Sequence, residues 1–142
     1  MLEPATSGTL QRLLVVASIV EIAVGLLHFA MPAAYRQSPA LGRLSSAEDD
    51  FFALMTFAVG ILLVAFGVLT LAFARLSTER SLLVAFLGIK TLLWIGRVAL
   101  ELVLPIQIEL FGIAPFTAIV LPGVVAQLGI VVGATALALR SA

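Results

Sequence analysis

The chain has 142 residues, of which 62% are apolar and 11% charged, with eight basic and eight acidic side chains that cancel. A soluble domain carries about a quarter of its residues as charge, so this composition excludes one, and so much apolar surface excludes disorder. With no basic excess there is no footprint for nucleic acid, and with no cysteine there are no disulfides or thiolate metal sites.

What remains is an all-α integral membrane protein, a four-helix bundle in the lipid bilayer. A transmembrane helix needs about 20 apolar residues to cross about 30 Å of hydrocarbon. Four segments qualify, at about 10–31, 51–74, 81–104 and 116–139, and they form a single transmembrane domain. The first runs from Leu10 to Met31 and is closed by Pro32. It exceeds a signal-peptide core and is interrupted by Glu21, so it is read as a retained helix. It carries Glu21 and His28, seven residues apart and about 20° from each other on a helical wheel, with Ser18 and Gly25 on the same face.

Ser45, Ser46 and the run Glu48-Asp49-Asp50 lead into the second span, which suits the positive end of a helix dipole. This span has no charge. Its Ala53, Gly60, Gly67 and Ala74 recur every seven residues and mark a packing face. Arg75 to Arg80 form a polar hairpin. The third span contains Lys90, Trp94, Arg97 and Glu101 within a sector of about 60°. Pro105 to Pro115, PIQIELFGIAP, is too apolar for a free loop and too short to cross. It is read either as an interfacial, partly re-entrant cap or as a plain proline-bounded connection. The fourth span carries Gly129-x-x-x-Gly133 with Ala126 and Ala136 as a second packing stripe, and one polar group, Gln127. Arg12, Arg75, Arg80 and Arg140 on one side against Arg36 and Arg43 on the other place both termini in the cytoplasm.

The first and third spans run in the same direction, so depths can be compared. Glu21 and Lys90 lie roughly 16 and 14 Å into their spans, and His28, Arg97 and Glu101 roughly 27, 24 and 30 Å. Glu21 is therefore expected to face Lys90 near the midplane, with His28 facing Arg97 and Glu101 above. Leaving Glu21, Lys90 and Arg97 toward lipid costs roughly 10 kcal/mol, at about 2.5–3.5 kcal/mol per charge, so the two stripes must meet. An offset of 69 residues aligns Glu21 with Lys90 and His28 with Arg97, a faint internal repeat.

Three functions fit this pattern. One is a pocket that binds a small lipophilic molecule, quinone- or isoprenoid-like, or acts on it by acid–base chemistry. Glu21, His28, Lys90, Arg97 and Glu101 are then the candidate catalytic groups, and Trp94, Ser18, Gly25 and Gln127 the candidate ligand contacts. The second is a structural or assembly subunit of a membrane complex, or a homo-oligomer, in which the buried charges fix helix register. The third is a proton-coupled carrier: a mid-span Glu21 in a first helix of four resembles the small multidrug resistance transporters, although Lys90 and Arg97 would repel a cationic drug. One histidine and no cysteine argue against zinc or bis-histidine haem, and no phosphate-binding glycine loop is present. No particular cofactor is indicated.

The stretch Gly25-Leu26-Leu27-His28-Phe29-Ala30-Met31-Pro32, followed by Tyr35, resembles the end of the first helix in DoxX-like small four-span bacterial membrane proteins. The resemblance covers about a dozen residues. It implies a bacterial inner-membrane location and a link to thiosulfate or quinone redox chemistry, and it extends at most to His28 and Pro32.

Overall fold

A computed structural model describes residues 8–35, 45–76, 79–104, 109–110 and 114–140. Four helices dominate it: α1 (Gly8–Tyr35), α2 (Ser46–Arg75), α3 (Arg80–Val103) and α4 (Phe116–Arg140). All four are long and apolar enough to cross a membrane. α1 has 28 residues and α2 has 30, or about 42 and 45 Å of helix, so both outrun the hydrocarbon layer unless they tilt.

The ends differ from expectation in instructive ways. Pro32 does not close the first helix, which continues through it to Tyr35. In a last turn the missing proline N–H removes one backbone bond and little else follows it. α2 starts before the acidic run rather than after it. Ser45 caps it, with its hydroxyl accepting from the Glu48 N–H while the Glu48 carboxylate accepts from the Ser45 N–H at 2.8 Å, a reciprocal capping box. Within the connection from Pro105 to Pro115, β1 (Glu109–Leu110) pairs antiparallel with β2 (Ala114–Pro115). Residues 105–108 and 111–113 of that connection lie outside the described residues, as do Arg36 and Arg43.

The helices run up and down. At the lower end, where α1 begins and α4 finishes, Gln11 donates to the Ala74 carbonyl at 3.1 Å. Arg80 donates to the Ala138 carbonyl at 2.7 and 3.1 Å and to the Leu139 carbonyl at 3.1 Å. The last carbonyls of a helix have no partner within it, and this guanidinium supplies one. Leu10, Leu14, Leu83, Leu87, Ala134 and Ala138 fill the bundle there.

α1 and α2 approach to backbone contact. A Cβ on Gly25 would stand 2.8 Å from the Gly60 carbonyl oxygen, and one on Gly67 would stand 3.0 Å from that of Ser18. The seven-residue repeat of α2 is thus a packing face, as expected, with Gly60, Gly67 and Ala74 buried. The stripe expected on α4 packs only at Gly133, which is half-buried with Leu13 of α1 3.8 Å from its Cβ position. Ala126, Gly129 and Ala136 are exposed, no atom lies within 4 Å of a Cβ placed on Gly129, and the buried face is Val124, Gln127, Val131, Ala134 and Ala138. Gln127 decides the rotation of α4: an amide left in lipid finds no partner, whereas here it donates to the Ala17 carbonyl of α1 at 3.1 Å.

Candidate functional site

Above the lower core, three helices converge on Glu21. Its Oε2 accepts from Lys90 Nζ of α3 at 2.7 Å, and its Oε1 accepts from Trp94 Nε1 at 3.0 Å. Lys90 also donates to Thr70 Oγ1 of α2 at 2.5 Å, and the Thr70 hydroxyl donates onward to the Phe66 carbonyl at 2.6 Å. The Phe86 ring lies 5.6 Å from the ammonium. Glu21, Lys90 and Thr70 are almost completely buried. Two opposite charges taken out of water are tolerated only when paired and hydrogen-bonded, and this network supplies both conditions.

The pairing of Glu21 with Lys90 is the one that helix geometry requires. Thr70 is not among the candidates that the charge pattern marks. The signal for it was present: it follows Gly67 by three residues, on the face that the glycine repeat marks as buried, so its hydroxyl had to meet another polar group.

The second tier is arranged differently from expectation. Arg97 pairs with Glu101 one turn along α3, and Glu101 also accepts from Thr117 Oγ1 of α4 at 3.0 Å. Glu101 is thus turned to α4 and away from His28. His28 Nδ1 donates to the Val24 carbonyl at 2.8 Å, since a carbonyl can only accept. In the neutral ring Nε2 is then an acceptor, and it has no partner among the described residues.

A space of about 240 Å³ lies between the two tiers. Glu21, His28, Lys90, Trp94 and Arg97 give it polar groups on one side, and aliphatic side chains with Phe66 form the rest. The other candidates stand apart from it. Gly25 is pressed against Gly60, so its lack of a side chain serves helix contact. Ser18 and Gln127 are buried below Glu21 and do not border the space. Ser18 Oγ and Gln127 Oε1 have no hydrogen-bond partner among the described residues. Glu101 does not border it either. Among the described residues no three His, Asp or Glu side chains converge as metal ligands would.

No family model, curated protein or solved structure matches the chain. Chemically, the arrangement offers a held proton donor and acceptor in Lys90 and Glu21, an imidazole acceptor in His28 that has no partner among the described residues, and a partly exposed guanidinium in Arg97.

Proposed function

We propose that this chain binds a small lipophilic molecule, quinone- or isoprenoid-like, inside a bacterial inner membrane. The observation that carries the reading is the space of about 240 Å³, apolar on most sides, onto which Glu21, His28, Lys90, Trp94 and Arg97 converge. An apolar cavity of about 150 Å³ holds one benzene molecule, so this one suits a ring-sized group or the first carbons of a lipid. A mostly apolar pocket with a few convergent polar groups is the usual form of a small-molecule site. The resemblance of Gly25–Pro32 and Tyr35 to DoxX-like proteins points the same way. In this reading Arg97 holds a carbonyl oxygen of the ligand and Trp94 forms a flat wall. Nε2 of His28, without a partner among the described residues, is the acceptor that faces the ligand.

The test is mass spectrometry of lipophilic molecules retained by the gently purified protein. A discrete molecule is expected with the natural chain and absent from Arg97→Ala. Folded protein that retains nothing beyond bulk phospholipid counts against the pocket.

A second reading, a structural subunit of a membrane complex, is favoured by one observation. Glu21, Lys90, Thr70 and Trp94 bond one another across three helices, as a register-fixing device would. It predicts a partner protein that stays bound through purification and is lost when Glu21 and Lys90 are replaced together.

A further inference from the structure

The seam between α2 and α3 is unlike the others. α1 packs closely on α2 and on α4, and α3 on α4, but the described parts of α2 and α3 make no comparable backbone approach. The side chains explain why. α2 gives its glycines and the Phe57 ring to α1, and the rings of Phe66 and Phe73 to α3. Phe73 stacks on Phe86 with ring centroids 4.6 Å apart, and Phe66 stands 6.3 Å from the same ring. This aromatic wedge fills the lower seam and holds the two helices apart.

Above the wedge the seam is lined by aliphatic residues. Val59 and Leu62 of α2 and Leu93 of α3 border the cavity, yet they are 43%, 57% and 52% exposed. Side chains that touch both a cavity and the outer surface mark its mouth. These three lie within the spans, so the mouth faces hydrocarbon rather than water.

The polar side of the cavity restricts what enters. Glu21 with Lys90 and Arg97 with Glu101 cancel each other's charge. A charged guest would add an unpaired charge to a low-dielectric site. The unspent hydrogen-bonding capacity is mostly donor. Lys90 uses two of its three N–H groups, and Arg97 one of its five, among the described residues. Against them stand His28 Nε2 and the lone pairs that the Glu21 carboxylate keeps after accepting from Lys90 and Trp94.

We infer that the cavity is filled from the bilayer through the seam between α2 and α3, by a single-chain lipophile whose neutral head is a hydrogen-bond-accepting carbonyl and whose tail stays in the seam. This rests on the binding reading above and adds the route and the head-group chemistry.

Trp94 is the only tryptophan in the chain and borders the cavity, so its emission reports occupancy. The full chain in phosphatidylcholine nanodiscs is titrated with 2-dodecanone, dodecanoate and dodecylammonium, three guests with comparable tails and different heads. The ketone is expected to give a saturable change, with the two ions at least about tenfold weaker. The chain has no native cysteine. A bulky maleimide on Leu62→Cys or Leu93→Cys is expected to raise the half-saturation concentration of the ketone by about tenfold or more. The same adduct on Ile19→Cys, 60% exposed on α1 and away from the cavity, leaves it unchanged. A ketone response untouched by both seam adducts overturns the route while leaving binding in place. Equal responses to an ion and the ketone overturn the neutral head. No saturable response to any of the three, with the protein folded, overturns the binding reading itself.

Discussion

Glu21 and Lys90 show how burial turns two unfavourable residues into a favourable pair. Each alone in hydrocarbon costs several kcal/mol, and at 2.7 Å each supplies what the other lost on leaving water. Removing one partner leaves the other charge buried and unpaired. Glu21→Gln or Lys90→Met is therefore expected to destabilise the fold by about 3–5 kcal/mol. The double variant is expected to recover most of that loss, because no charge is then left buried. Reversible unfolding in mixed micelles measures the cycle, and additive losses would show that the two side chains do not act as a pair. Trp94 reports on the same carboxylate. Trp94→Phe keeps an aromatic wall but deletes the donor 3.0 Å from Glu21, at an expected cost of about 1.5–3 kcal/mol for a hydrogen bond to a charged group. A loss that small separates the hydrogen bond from the ion pair in the same unfolding assay.

At the scale of helices, small residues do different work in α2 and α4. A methyl group on Gly25 meets the α2 backbone at 2.8 and 2.9 Å, and backbone atoms cannot swing aside. Gly25→Ala is thus expected to cost about 1–3 kcal/mol by forcing α1 from α2. Gly129→Ala meets nothing within 4 Å and replaces a poor helix former, so stability is expected to stay level or rise by about 0.5–1 kcal/mol. Melting temperatures of the two variants in one detergent check the contrast. A loss at Gly129 as large as at Gly25 would mean that this face of α4 packs on something outside the chain. The ends of the spans also follow local rules that apolar length alone does not carry. Pro32 looks like a stop but falls in a last turn, where helix tolerates it, and the acidic run belongs to the first turn of α2 because Glu48 completes a capping box with Ser45.

For the whole molecule, four spans put the first and last helix ends on one face of the membrane. The arginine distribution predicts that this face is the cytoplasmic one. Ala47→Cys, at the upper end, is expected to react with an impermeant maleimide in intact cells. Leu76→Cys, at the lower end, is expected to react only after permeabilisation. The reverse pattern would invert the orientation. The distribution of material within the bundle is also a whole-molecule property. Its lower end is packed solid around Leu10, Leu14, Leu83 and Leu87, while the upper half holds the cavity between the Glu21 and Arg97 tiers. A cavity and a stabilising core are thus stacked along the bundle axis, and the Glu21–Lys90 pair sits where they meet.

Composition and periodicity alone determined the four spans, the glycine face of α2 and the meeting of Glu21 with Lys90. Each follows from a local rule: a length against a bilayer thickness, a seven-residue repeat, or two charges at equal depth that lipid cannot solvate. Only the tertiary structure decided the rest. The contribution of Thr70, the turning of Glu101 to Thr117, the outward face of Gly129 and the open seam between α2 and α3 depend on how each helix is rotated about its own axis. In lipid that rotation is weakly constrained by hydrophobicity, because most faces of these helices are apolar. It is set instead by the few polar groups that must find partners and by the side-chain volumes that fill each seam.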